Sequence, residues 1–212
     1  PLTSSGKTNT YSCFVELSSQ LLAPAARSGL VVQAGVATDK SNGRLFQQLL
    51  ATGALDMFLG FDNSLRTFFP TIKPSLRFCL ITLRNCAFAE ESPIDFVFMA
   101  KTIEEAHDPA RRFALSAAQA MRFNPATGTA PVFLCPQDAL LTAFVYDRFP
   151  TFIPAGGSTE QGWRLSTRQG LFNTGSQKEL FYESPASQRL PLYEAKLTSW
   201  LDHRAGCYTA NG

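Results

Sequence analysis

Helical and extended periodicities alternate along the first 86 residues, and that alternation leaves few folds open. From Tyr11 to Leu22 the apolar positions Phe14, Val15, Leu17, Leu21 and Leu22 recur at helical spacing, and Pro24 stands where such a helix must stop. Gly29 then opens the short run Leu30-Val31-Val32, which reads as a buried strand. Beyond the polar stretch Asp39 to Asn42, Leu45, Phe46, Leu49 and Leu50 give a second amphipathic helix, closed by Gly53 in the usual place for a C-terminal cap. Leu55 to Phe61 predicts another strand, Asp62-Asn63-Ser64 a turn, and the nearly continuous apolar run Leu76 to Leu83 a third strand. Helix, strand, helix, strand, strand is the way a doubly wound sheet often ends, with its last strand reversed.

After Asn85 the pattern changes. Ile94 to Met99 predicts a strand, Ile103 to His107 a helical turn before Pro109, Leu115 to Met121 a helical piece, and Asn124 to Thr129 a turn cluster. Gln137 to Phe149 has helical spacing, residues 151 to 188 read as loop, and a helix is expected from Tyr193 to about Leu201. The expected organisation is a polar segment over 1–10, a partial doubly wound α/β unit over 11–86 and a mixed, loop-rich extension over 87–212.

With 45% hydrophobic and 17% charged residues, the chain carries enough apolar material for a packed core and is not a disordered tail. The net charge of +2 proves no polyanion partner, so its distribution matters more. Between Asp62 and Glu90 no acidic residue occurs, while Arg66, Lys73, Arg77 and Arg84 all fall there. Five widely spaced cysteines without a C-x-x-C pair suggest neither a zinc site nor a disulfide framework, and point to a reducing, cytoplasmic setting. No apolar run reaches membrane-spanning length, and the polar start lacks the layout of a signal peptide.

Gly53 to Asn63 (Gly-Ala-Leu-Asp-Met-Phe-Leu-Gly-Phe-Asp-Asn), then Phe69-Pro70, then Arg77 to Leu83, resembles the later part of the N6-adenine DNA methyltransferase domain of combined, type IIG-like restriction–modification enzymes. Val36-Ala37-Thr38-Asp39 upstream, Asn124 to Phe133 downstream, and Leu190 to Lys196 with Asp202-His203-Arg204 are similar to further signatures of that family in the same order, covering roughly Tyr11 to Tyr208. Gln33 stands where the family usually has Pro, Asp62 where it has Glu, and Arg77 where it has Lys. The family's Gly-containing loop for S-adenosylmethionine and its Asn-Pro-Pro-Tyr motif do not occur in these residues, and Asn124-Pro125 continues as Ala-Thr.

The resemblance implies that Phe69, before Pro in the loop between the last two strands, stacks on the extruded target adenine, with Phe68 the alternative ring. Packing of Phe69 against Phe68 or the sheet is the competing reading. Arg66, Lys73, Arg77 and Arg84 are candidates for DNA phosphate contacts, with solvated strand ends as the bland alternative for the last two. Asp202, His203 and Arg204 read as a structural cluster at a helix end, because nothing supplies an activated nucleophile beside His203. Glu194-Ala195-Lys196 matches half of a nuclease metal site, but no preceding Asp on a hairpin completes it.

The expectation is therefore a methyltransferase-like fragment without catalytic, cofactor-binding or metal residues of its own. It would act on double-stranded DNA in a complete enzyme that uses S-adenosylmethionine, and would be inactive alone. The alternatives are a non-enzymatic DNA- or partner-binding piece, or one half of a split methyltransferase. An uncovered sheet edge would also favour homo-oligomers.

Overall fold

The computed structural model describes residues 2–4, 8–85, 92–150, 163, 172–173 and 175–182. In chain order these form α1 (Thr10–Leu21), β1 (Arg27–Gln33), α2 (Gly35–Thr38), α3 (Gly43–Ala51), β2 (Leu55–Asp62), β3 (Arg77–Arg84), β4 (Ile94–Ala100), α4 (Ile103–His107), β5 (Phe113–Leu115), α5 (Ala117–Phe123) and α6 (Pro136–Arg148). Residues 1–166 form one compact unit and residues 167–212 another. In the second, a 3-10 turn, Lys178–Leu180, follows Phe172, whose ring meets Phe181 edge-on.

The first unit is α/β, built on a mixed five-stranded sheet in the order β1-β3-β2-β4-β5. β3 is antiparallel to both β1 and β2, so those two strands run the same way with the reversed strand wedged between them. β4 lies parallel to β2, and β5 reverses again at the far edge. The expected boundary at 86/87 therefore falls inside a sheet that β4 and β5 continue. Two local readings change as well. Phe113 to Leu115 is a strand, too short to show a period, and the helix expected from Leu115 starts two residues later because Ser116 and Gln119 form a reciprocal capping box. The helix expected from Tyr193 lies outside the described residues.

Both faces of β2 are buried along its centre, which explains the apolar run Met57 to Phe61. On one face Phe58, Ile81, Leu83, Ile94 and Phe96 share a core with Val15 of α1, Leu45, Phe46, Leu49 and Leu50 of α3, and Ala120 and Phe123 of α5. Each of the larger of these side chains contributes about 1.5–3 kcal/mol by leaving water. The opposite face is covered unevenly. Its row Val31, Leu80, Leu59, Val97, set by strand register, runs from 60% and 37% exposed at the β1 side to 7% and 0% at the centre. Phe14, Leu17 and Leu21 form an exposed apolar stripe on α1 as well.

Buried Asn42 joins the first helices. Its Oδ1 accepts from Ser12 at 2.8 Å, while Nδ2 donates to the Gly35 carbonyl at 2.8 Å and to the Tyr11 hydroxyl at 3.1 Å. Removing this side chain leaves the buried Ser12 hydroxyl and the Gly35 carbonyl without these partners, so Asn42→Ala should lower unfolding free energy by roughly 1–3 kcal/mol. Urea denaturation measures the loss; a change below experimental error would show that the node carries no weight.

Candidate functional site

β1, β2 and β4 run parallel and end together. The β2–β3 connection, residues 63–76, starts at this carboxyl edge and must return to it, because β3 begins where β2 finishes. Open α/β sheets bind ligands at such edges. A pocket of about 250 Å³ lies here, lined by Gln33 at the end of β1, Thr38 and Asp39 after it, Gly60 and Phe61 of β2, Arg77 of β3, and Met99 of β4.

The pocket wall on β4 is distorted. Met99 has φ 60°, a left-handed conformation unusual for a side-chain-bearing residue, and the β2–β4 register slips between Leu59 and Phe61. A side chain at Gly60 would press on the Val97 carbonyl at 3.2 Å. Arg111 stabilises the bulge by donating to the carbonyls of Phe98 and Met99 at 3.1 and 3.2 Å, although its buried Nε finds no partner among the described residues. Backbone strain of this kind persists only where the surroundings enforce it, and it concentrates at functional sites.

The loop is held by Asn63, which is 1% exposed. Its Oδ1 accepts from the Phe69 amide at 3.1 Å and its Nδ2 donates to the Phe69 carbonyl at 2.9 Å, so one side chain clamps both backbone groups of that residue. Asp62 fixes the turn by accepting from the Ser64 amide at 2.7 Å. Burial pushes the Asp62 carboxyl upward, but hydrogen bonds from Ser64 and the charges of Arg77 and Lys101 outweigh it and hold the group below the usual aspartate value.

The two candidate rings differ in surroundings. Phe68 meets both Phe61 and Phe78 edge-on, at 5.1 and 5.2 Å between centroids, and Phe61 and Phe78 are themselves stacked. Phe69 touches Phe78 edge-on at 4.9 Å and stays 36% exposed. Neither lines the pocket. Phe69 stands beyond its margin, linked to it through Phe78 and Phe61.

Of the four basic candidates, Arg66 and Lys73 are exposed on this loop and Arg77 borders the pocket. Arg84 stands apart. It closes β3 at the opposite end, about 23 Å away for seven strand steps, and is engaged there by Asp56 at 3.1 Å and the Gly53 carbonyl at 3.0 Å. Arg27 shares the same Asp56 carboxylate, so both cations at this end are engaged in a structural cluster.

Sequence reasoning assigned no role to Thr38, Asp39 or Met99. The first two sit in a stretch it singled out, but no rule of spacing aims them at a pocket, and the φ of Met99 leaves no trace in a strand pattern. Gln33, a departure from the family pattern that the resemblance places at the wall of the site, lines the pocket. Asp202, His203, Arg204 and Glu194 lie outside the described residues. His107 accepts a structural place, its Nδ1 2.8 Å from the Ile103 carbonyl. Burial drives the Cys79 thiol up to about 12, the reverse of an activated nucleophile. Among the described residues no cluster could hold a metal ion, and no helix is long and apolar enough to cross a membrane. No family model matches the chain, and a search of curated proteins finds no relative.

The Asn63 clamp yields a direct expectation. Asn63→Ala removes two hydrogen bonds worth about 0.5–1.5 kcal/mol each, and hydrogen exchange at the Phe69 amide should accelerate while amides of β2 and β3 stay protected. Unchanged exchange at Phe69 would mean that the loop is held by its rings alone.

Proposed function

We propose that this chain supplies the target-base side of a DNA adenine-N6 methyltransferase of the restriction–modification type. The observation that carries the reading is the Asn63 clamp, which presents Phe69 beside a pocket at the carboxyl edge of the sheet. A methyltransferase must take its base out of the duplex and hold it, commonly against an aromatic ring. Phe69 has the exposure for that task, whereas Phe68 is engaged by two neighbouring rings. The polar wall of Gln33, Thr38 and Asp39 offers hydrogen-bond partners to a base edge, and Arg66, Lys73 and Arg77 offer cations to the phosphates around it. The reversed strand between β1 and β2 supports the same reading at the level of fold, as analogy only.

The described residues do not fit the methyl donor. S-adenosylmethionine, like other nucleotide ligands of wound sheets, needs a glycine turn that admits it closely at a strand end. After β1 that glycine is Gly35, and the space where its side chain would stand is taken by the Asp39 carboxylate and the Tyr11 hydroxyl. Donor binding is therefore assigned to the remaining part of the domain. The half-covered row at Val31 and Leu80, with the apolar stripe on α1, supports a further α/β layer docking along β1. Transfer needs donor and acceptor held together, so the chain alone performs no chemistry.

Two outcomes follow. Calorimetry of the isolated chain with S-adenosylmethionine should be flat, while a short duplex should bind with an affinity that falls as salt rises. Saturable donor binding with label transfer to unmethylated DNA would overturn the reading. In an enzyme completed by the missing half, Phe69→Ala should weaken a stacking contact worth roughly 1–3 kcal/mol, lowering methyl transfer with little loss of stability. Phe68→Ala should instead destabilise the loop, and the opposite pattern would transfer the role to Phe68.

A further inference from the structure

The turn at residues 124–129 is one of the sequence signatures, yet it takes no part in the carboxyl-edge pocket. It packs instead against the start of α3, and the two segments enclose a separate cleft of about 520 Å³. Lys40, Ser41, Arg44 and Gln47 line one side, and Pro125 and Thr127 the other. The walls are fixed to each other. A side chain at Gly43 would collide with the Thr127 carbonyl, and Gly128, at φ 67°, lies so close to Gln47 that a Cβ there would be 2.7 Å from its amide nitrogen. The Ala130 amide donates to the Ala37 carbonyl at 2.7 Å, and Asn124 Nδ2 donates to the carbonyls of Thr129 and Ala130 at 3.3 and 3.1 Å.

The cleft's chemistry is cationic. Lys40 and Arg44 are exposed, no carboxylate is among the lining residues, and neither cation enters an ion pair among the described residues. Its position is also specific. Thr38 and Asp39 line the carboxyl-edge pocket and the next two residues, Lys40 and Ser41, line the cleft, so the two cavities adjoin along one stretch of backbone. The basic loop carrying Arg66 and Lys73 leads into the strand whose first residue, Arg77, lines the pocket from another side.

We infer that this cleft holds phosphate groups of the DNA backbone next to the nucleotide whose base enters the carboxyl-edge pocket, with Lys40 and Arg44 as the contacting cations. The inference rests on the base-pocket reading above. An extruded nucleotide stays joined to the strand on both sides, so its phosphates need cations on both sides of the pocket to fix register. Arg66, Lys73 and Arg77 serve one side; Lys40 and Arg44 serve the other, and the turn at 124–129 is the rigid wall that keeps the groove open.

The test uses the full chain and a fluorescent duplex titrated over a range of salt concentrations. Each phosphate contact contributes about 0.9 to the slope of log K against log salt, so the double variant K40Q/R44Q should flatten the slope by about 1.8. The charge-preserving pair Lys40→Arg with Arg44→Lys should keep the slope, which separates a phosphate contact from a loss of folding. An unchanged slope in K40Q/R44Q, alongside a flattened one in R66Q/K73Q, would overturn the cleft while leaving the base pocket standing. Wild-type chain that binds duplex without salt dependence, or not at all, would overturn both.

Discussion

A reversed strand inserted between two parallel neighbours imposes the arrangement on which the rest depends. Because β3 runs against β2, the chain must leave β2 at the carboxyl edge and re-enter at that same edge. The connecting loop has nowhere else to go. Its aromatic and basic residues are thereby delivered to the crevice where wound sheets receive ligands. The crossover from β1 to β2 passes over β3 through α2 and α3, which brings Thr38, Asp39, Lys40 and Arg44 to the same region.

The stability of this arrangement is divided between the two ends of the sheet. At the amino end of β2, Asp56 is shared by Arg27 and Arg84 across three strands, tying the outer edge to the centre. At the carboxyl end the ion pair among the described residues is the longer one of Arg111 with Glu105, at 3.7 Å. Order there comes from the Asn63 side chain, the ring cluster around Phe78 and the hold of Arg111 on the β4 bulge. Arg66 and Lys73, on the loop at this end, enter no ion pair among the described residues, as suits a loop carried on a rigid scaffold.

Much of the α/β order was legible because strong periods survive in the sequence. The amphipathic face of α3, its closure at Gly53 and the apolar runs of β2 and β3 fix those elements within a residue or two. β5 was not legible, since three residues carry no period, and the strand expected at Ile94 to Met99 gave no local sign that it pairs with β2 and carries the sheet past residue 86. The likeness to a methyltransferase pointed to the loop after β2, but local sequence cannot say which of two adjacent phenylalanines is packed. That depends on Phe61 and Phe78 meeting across strands. Grouping Arg84 with Arg77 followed charge along the chain, although the strand that the two were seen to flank separates them by its whole length. The pocket wall at Met99 depends on a backbone bulge enforced by Gly60 and Arg111, a tertiary effect with no local signature.

The central claim is that a nucleobase occupies the carboxyl-edge pocket beside Phe69. It is tested most directly by titrating isotopically labelled chain with a single-stranded oligonucleotide bearing one adenine, and with its abasic counterpart, while following backbone amides by NMR. The account predicts shifts specific to the adenine-bearing strand at Gln33, Thr38, Asp39, Gly60, Phe69 and Met99, with α6 unaffected. Identical shifts for the two strands, or adenine-dependent shifts confined to other parts of the molecule, would contradict it.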